Sequence, residues 1–414
     1  MKIAVVYGSL APLPPTRGIA PGIVIYNTIE NFQALPEDNI VVFSHWEPDI
    51  DKLNYDHEKY HSVKILPWAR MLITLIKKLP YRFYHPFLSR KFGHTDNEWL
   101  GYAISLLFAV RKYQPDLIVC HVNYKLPLLL SLFCPKAKII YYHHGSNLHI
   151  HLSTENWRKL ENCLSGLVSV SQAAIDGLEQ KFGKITIYHK VIRNGVDTNL
   201  FSPTLKLSKR VEVRKSHQVL QNDFVFLYSG RIVSSKGIHH LISVFLRLVK
   251  DYSFIHLWIA GSAAKENRAD YQYERRLKEM AESHPNNIKF LGWFPNQQMP
   301  VIFASADATV LPATIEEGIP LSLLESMACG TPVIASKIGG IPEIITNHET
   351  GILIDPENIE TSLEAAMKYF LTNPELIRIY SKSGVENTQS NYTYHQVAHE
   401  FFELINDFRK DICR

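Results

Sequence analysis

An α/β protein of two domains, each an open, doubly wound parallel sheet, is predicted from three observations. Short apolar runs alternate with helix-like stretches along the chain, glycines and prolines punctuate the ends of those runs, and an Asn-Gly turn near the middle precedes a charged segment. Buried parallel strands read as near-continuous apolar runs joined by helical crossovers, which is the pattern met here. At 414 residues and 46% hydrophobic side chains the chain can bury two cores, and 20% charged residues fits neither a disordered nor a fibrous protein.

In the first half, residues 2–7, 40–43, 117–120, 139–142 and 167–170 read as strands. The first turn, residues 8–22, is long and holds Arg17-Gly18 and Pro21-Gly22 ahead of a helix expected from about Ile23. The free N–H groups of such a helix start can take an anion; a plain flexible loop is the alternative.

Charge is unevenly spread. Residues 1–190 hold 21 Lys and Arg against 15 Asp and Glu, while the remainder holds 23 against 25. Between residues 59 and 95 no acid occurs, and cations such as Lys64, Arg70, Lys77 and Arg82 are interleaved with Trp68, Phe83, Tyr84 and Phe87. Such a patch suits an anionic membrane surface, each cation adding about 1 kcal/mol near the lipid. The alternatives are a helix with a solvated basic face or a loop that contacts a substrate. No recognition motif accompanies the charge, so nucleic acid is not an expected partner.

Five cysteines (Cys120, Cys134, Cys163, Cys329, Cys413) are scattered without metal spacing, which fits a reducing compartment. The N-terminal apolar run is short, stops at Gly8 and reads as a first strand, and no run is long enough to span a bilayer. The expected location is the cytoplasm, with peripheral contact to the inner membrane face through residues 59–95.

Tyr141-Tyr142-His143-His144-Gly145-Ser146-Asn147 ends a strand and opens a loop. Strand alternation sends His143 and His144 to opposite faces. With His149 and His151 they form a rival metal-ligand set, although no acid or cysteine stands at fixed spacing. Asp49-Ile-Asp51 is a second rival motif for a divalent cation, and a solvated turn is its bland reading.

Asn194-Gly195-Val196-Asp197 marks the domain boundary, giving domains 1–195 and 196–391, and the charged stretch to about Asn222 reads as a linker or loop. Apolar positions at Val397, Phe401, Phe402, Leu404 and Ile405 make the tail, 392–414, an amphipathic helix.

The second half opens on a strand that runs from Phe224 into Gly230, with Arg231 next and Lys236 five residues later at the start of a helix. Two cations beside a helix N-terminus make a diphosphate site, with about 4 kcal/mol per close charge pair at an effective dielectric near 20, before desolvation. Isolated loop cations would more often be solvated.

Residues 308–345 carry most of the functional information. They read as a strand (308–312), an acidic loop, a helix (320–328), a strand (332–335), a Gly339-Gly340 turn and a further helix opened by Pro342. Both loops leave the carboxyl ends of parallel strands, where open α/β sheets bind ligands. Glu325 lies among Leu321, Leu324 and Ala328, so its carboxylate is expected in a partly buried cleft. A buried carboxylate without donors costs several kcal/mol, so ligand hydroxyls are natural partners.

The run Glu317-Gly-Ile-Pro-Leu-Ser-Leu-Leu-Glu325-Ser-Met-Ala-Cys-Gly330 resembles the Glu-x7-Glu signature of the retaining glycosyltransferases of family 4. Gly230-Arg231 with Lys236-Gly237 is similar to that family's Gly-Arg-x-x-x-x-Lys-Gly element, and Asn194-Gly-Val-Asp197 to its hinge. The resemblance implies the GT-B fold: two Rossmann-like domains facing a cleft, donor held by the second and acceptor by the first, with the tail crossing back onto the first. It implies that Arg231 and Lys236 hold the donor's diphosphate, that Glu317 bonds sugar hydroxyls and that Glu325 bonds ribose hydroxyls. Gly318, Ile319, Pro320, Leu321 and Gly230 would border the donor, Gly18 and Gly22 would stand for the family's Gly-Gly pair, and His144 for the strand-end His-Gly near the transferred sugar. The loop with Trp293 and Phe294 would border the base, these side chains either stacking on it or packing the core, the commoner outcome for aromatics. The family usually has Phe-Gly where this chain has Ile319-Pro320, and proline removes one N–H that could meet a phosphate.

The function implied is transfer of a sugar from a nucleotide-sugar, UDP-linked first and GDP-mannose second, to a glycan or lipid-linked acceptor. No metal or other cofactor is expected, because the two cations answer the leaving diphosphate. A sugar-chain phosphorylase is a weaker reading, since the chain is short and shows no evident pyridoxal-phosphate lysine site. A catalytically silent nucleotide-sugar-binding or membrane scaffold protein is the alternative from another class.

Overall fold

The computed structural model describes residues 1–16, 19–77, 97–145, 147–263 and 267–412. The chain divides into Met1–Ile192 with Val397–Arg414, and Arg193–Gln396. Both units are parallel sheets flanked by helices.

The first unit holds seven strands: β1 (Lys2–Tyr7), β2 (Asn39–His45), β3 (Tyr60–Val63), β4 (Leu117–His121), β5 (Lys138–His143), β6 (Gly166–Ser169) and β7 (Tyr188–Val191). Their order is β3-β2-β1-β4-β5-β6-β7, so the winding reverses between β1 and β4. One face packs Val6, Phe43, Ile118 and Tyr141 against the helix Asn97–Tyr113, whose Leu100, Ala103 and Leu106 are buried. Tyr102 and Trp99 of that helix donate to the carbonyls of Tyr7 and Gly8, at 2.6 and 3.3 Å. Gly8 itself is required at the reversal, because a Cβ there would lie 2.7 Å from Leu126 Cδ1 and 2.9 Å from the His121 carbonyl.

The tail is the helix Tyr394–Ile412. Phe401, Leu404, Ile405 and Phe408 are buried, Phe401 meets Phe32 edge-on at 5.4 Å, and Arg409 pairs with Asp38 at 2.5 Å. That docking puts residues from Val397 onward in the first unit.

The second unit holds β8 (Phe224–Ser229), β9 (Ile255–Ala260), β10 (Ile288–Gly292), β11 (Ala308–Leu311), β12 (Val333–Ser336) and β13 (Gly351–Ile354), ordered β10-β9-β8-β11-β12-β13. Here the winding reverses between β8 and β11.

Four expectations need correction. The stretch 59–95 is not one amphipathic patch: it begins with strand β3, which the sequence reading missed, and continues as the helix Pro67–Lys77, while 78–96 lies outside the described residues. Strand β7 was also missed; it is an edge strand whose first two residues are exposed, so no apolar alternation marks it. The linker after Asp197 contains the helix Thr204–Ser216, anchored by a buried Arg214. Pro342 opens no regular helix, only the 3-10 turn Ile341–Glu343.

Candidate functional site

Ligands of open α/β sheets bind beyond the strand carboxyl ends where the winding reverses. In the second unit that point is built from backbone. Gly230 (φ +148°) and Gly261 (φ +147°) end β8 and β9, and a Cβ on Gly261 would lie 1.8 Å from the Gly230 carbonyl. Gly230 N–H donates to Ala260 and Gly261 N–H to Gly292, at 3.0 and 2.8 Å, so three strand ends lie side by side without side chains between them.

After β8 the chain turns through Ser234–Lys236 to Gly237, in the left-handed region, which starts the helix Ile238–Leu248. A Cβ on Gly237 would sit 1.9 Å from the Pro312 carbonyl, and Thr314 N–H donates to Ser235 O at 2.9 Å. The loops after β8 and β11 are thereby stitched together. This brings Lys236 Nζ to 2.9 Å from Glu317 Oε1, both side chains largely buried. Arg231 is exposed beside them, and its carbonyl accepts from the Tyr228 hydroxyl at 2.7 Å. The Tyr228 phenol, raised well above its usual pKa chiefly by burial, also feels both Glu317 and Arg231.

The glycine turn after β12 closes the other side. Gly340 N–H donates to the Glu317 carbonyl at 2.8 Å, and Gly339 (φ +52°) lies so close that a Cβ would be 2.2 Å from that oxygen. Gly318 and Ile319 are buried, Pro320 caps the helix Leu321–Ala328, and Leu321 is its first residue. The first-turn amides carry the positive end of the helix dipole.

Asn194, read from the sequence as a turn former in a hinge-like motif at the domain boundary, is also a site residue. It is buried, and its Nδ2 donates to the Ile319 carbonyl at 2.8 Å, while its Oδ1 has no partner among the described residues. Its neighbour Arg193 pairs with Glu343 at 2.8 Å. The Asn-Gly-Val-Asp motif is a local signal at this position, and it points to a turn or hinge instead of a side-chain contact.

Glu325 is 8% exposed, more deeply buried than expected, and accepts from Asn296 Nδ2 at 3.0 Å. Burial pushes its carboxyl up to about 7, the Asn296 bond acting the other way. Trp293 is 53% exposed and Phe294 half-buried, so the indole is not core packing.

His144 lies in the first unit. Its ring stacks on Tyr142 at 4.8 Å, its Nε2 meets His121 Nδ1 at 2.8 Å, and it lines a small pocket with Val5, Val24, Ile25 and Phe401. The ring thus faces the interior of its own unit, with the helix Ala20–Glu30 and the tail, where a free strand-end imidazole was expected. Burial lowers its pKa well below the usual imidazole range and that of His121 to about 3, so both are neutral. His143 does face the other side, with Tyr141, and is lowered to about 4 by burial.

Gly22 is the third residue of the helix Ala20–Glu30, which starts before Ile23, and it packs on Tyr7; Gly18 lies outside the described residues. Asp51 accepts from the Trp46 indole at 3.0 Å, and Asp49 pairs with Lys52 at 2.7 Å. Among the described residues no three His, Cys, Asp or Glu side chains gather as metal ligands.

Residues 209–386 match the family described as Glycosyl transferases group 1. The chain is 28% identical over 280 residues to YtcC of Bacillus subtilis, a protein with a glycosyltransferase name, covering 66% of this chain and 68% of that one. It is 25% identical over 302 residues to the lipopolysaccharide 1,2-N-acetylglucosaminetransferase of Salmonella typhimurium, covering 72% and 74%. Other curated relatives are matched over about half of their length. The crystal structure of Anabaena Alr3699/HepE in complex with UDP and glucose superposes with a TM-score of 0.74 at 19% identity, covering 98% of this chain and 99% of that one. At that identity the likeness is one of fold, shared by GT-B glycosyltransferases.

Proposed function

We propose, from the match of residues 209–386 to the glycosyl transferases group 1 family, a retaining, metal-independent transfer of a sugar from a nucleotide-sugar to a glycan or lipid-linked acceptor. The observation that carries this reading is the Lys236–Glu317 pair at the winding reversal of the second sheet, with Arg231 beside it. In the absence of donor the cation and the carboxylate neutralise one another. A diphosphate, with more negative charge than one carboxylate, draws Lys236 and Arg231 to itself and releases Glu317 to the sugar hydroxyls and to the positive charge that develops on the ring. The amides at the start of the helix Leu321–Ala328 add to the same field.

Glu325 then takes ribose hydroxyls, and the exposed Trp293 offers a face to the base. A UDP-sugar is the favoured donor, a reading supported by the fold neighbour HepE, whose structure was determined with UDP and glucose. Retention follows the family's usual picture, in which a donor phosphate oxygen helps to accept the acceptor proton, so no protein nucleophile is required. His144, neutral and bonded to His121, serves as a shape-giving group near the first unit's strand ends, not as a base.

The testing experiment is a thermal-shift panel of UDP, GDP, ADP and dTDP in EDTA and then with magnesium. At a hundred times its dissociation constant a ligand adds about 2.7 kcal/mol of stability. One nucleotide is expected to shift the melting point in EDTA; a shift that needs magnesium overturns metal independence, and none at all overturns the donor site. Lys236→Ala is expected to slow turnover about a hundredfold, the loss of about 3 kcal/mol at the transition state. Near-normal turnover in that variant would remove Lys236 from the mechanism.

A lipid-linked acceptor is supported by the helix Pro67–Lys77, which exposes Trp68, Met71, Leu72 and Leu75 on one stripe while burying Ala69 and Ile73. No helix among the described residues is long and apolar enough to cross a membrane. The full chain is expected to sediment with vesicles containing phosphatidylglycerol and to stay in solution with phosphatidylcholine alone. Leu72→Glu should abolish the difference.

A further inference from the structure

Strand β3 is one of the two edge strands of the first sheet, and a groove of about 280 Å3 opens against it, near the lower end of small-molecule sites. We propose that this groove, lined by Trp46, Asp51, Tyr55, His57, Ser62 and Lys64, is a saccharide subsite that holds a neutral pyranose of a glycan.

The rings are held before any ligand arrives. Asp51 fixes the Trp46 indole through its N–H, and the Tyr55 hydroxyl lies 3.3 Å from Ser62 Oγ. The Tyr55 and His57 rings stand 4.2 Å apart, tilted by 47°. Rigid aromatic faces lose little entropy on binding, and a sugar's C–H faces are flat apolar surfaces of matching size.

The polar groups suit hydroxyls better than ions. Lys64 lies over the indole at 4.4 Å, and among the described residues neither it nor Asp51 has an oppositely charged partner within 4 Å. One free ammonium and one carboxylate in the same groove cancel, so neither an anion nor a cation is favoured. Each keeps hydrogen-bonding capacity for a neutral ligand. Burial and the nearby Lys112 lower the pKa of His61, the groove's other imidazole, so it adds no charge at pH 7. A single carboxylate also makes a poor metal site.

The glycan class rests on the glycosyltransferase reading, in which a long acceptor needs a grip apart from its reacting end. Binding energy from such remote contacts lowers the concentration of acceptor required.

The test prints neutral and acidic oligosaccharides on one array, probes it with the full chain at pH 7, and titrates the best neutral ligand by calorimetry. Wild type is expected to hold at least one neutral oligosaccharide, and Tyr55→Ala and Lys64→Ala are each expected to weaken it at least tenfold. The nucleotide-induced melting shift should persist in both. If Tyr55→Ala folds poorly, Lys64→Ala and Asp51→Asn, at exposed positions, decide the matter. No neutral glycan bound, acidic glycans alone bound, or equal binding by the variants would overturn the groove. A nucleotide shift without glycan binding sinks the groove and spares the donor site; glycan binding without a nucleotide shift does the reverse.

Discussion

Glu325→Gln is expected to raise the unfolding free energy at pH 8 by about 3 kcal/mol and to leave it nearly unchanged at pH 4.5. The folded carboxyl is pushed up to about 7 by burial, from an ordinary 4.5. Between those values the folded state keeps a proton that the unfolded state has lost, so stability falls as pH rises from about 4.5 to about 7. Above that window the full penalty of a buried charge is present, and a neutral amide escapes it. Gln also keeps an oxygen for the Asn296 Nδ2 donor.

Urea unfolding at pH 4.5 and pH 8 measures the difference directly. An equal change at the two pH values would mean that charge burial is not the cause. The same variant should bind nucleotide ten to a hundred times more weakly, because a charged hydrogen bond contributes about 1.5–3 kcal/mol. Wild-type affinity should rise as pH climbs through 7, since ribose hydroxyls donate best to the ionised carboxylate. Stability and binding thus pull this residue in opposite directions, as is common where a binding site stores unfavourable burial.

Asp307→Ala is expected to cost about 3–5 kcal/mol, read by urea unfolding at pH 7. The Arg214 side chain it faces is 1% exposed and also donates to the carbonyls of Ser305 and Asp223, at 3.0 and 2.8 Å. Asp307 takes Arg214 with one oxygen and Arg210 with the other, at 2.5 Å for Arg210, and accepts Val225 N–H at 2.8 Å. Removing it leaves a buried guanidinium without its counter-charge and unties the helix Thr204–Ser216 from strand β8. Arg214→Met in the same chain should recover part of the loss, because the buried charge leaves with its partner. A loss below about 1 kcal/mol in Asp307→Ala would show that the carbonyls alone satisfy Arg214.

This cluster also shows where reading the chain stops. The stretch around Arg210 and Arg214 looks like a solvated linker, since Lys and Arg are rarely buried. Nothing within ten residues announces Asp307, which lies more than ninety positions away at the start of β11. Trp293 fails in the other direction: an indole is normally core, yet this one is exposed at the end of β10, because Gly292 turns the chain away from the sheet.

Apart from β3, β7 and the helix Thr204–Ser216, the sequence by itself determined most of the succession of strands, helices and glycine turns, because these follow from local periodicity and backbone preferences that travel only a few residues. It also carried the cationic turn after one strand and the acidic loop after another, each as a local motif. The tertiary structure alone decided that Lys236 meets Glu317, that Asn194 holds Ile319, how deeply Glu325 is buried, and that His144 turns inward to His121. It decided, too, that β3 and β7 form edges, although their short sequences lack an apolar stripe. Those outcomes depend on which distant segments share a neighbourhood, and it is burial and pairing across that distance, not propensity along the chain, that set the charge and reach of each group.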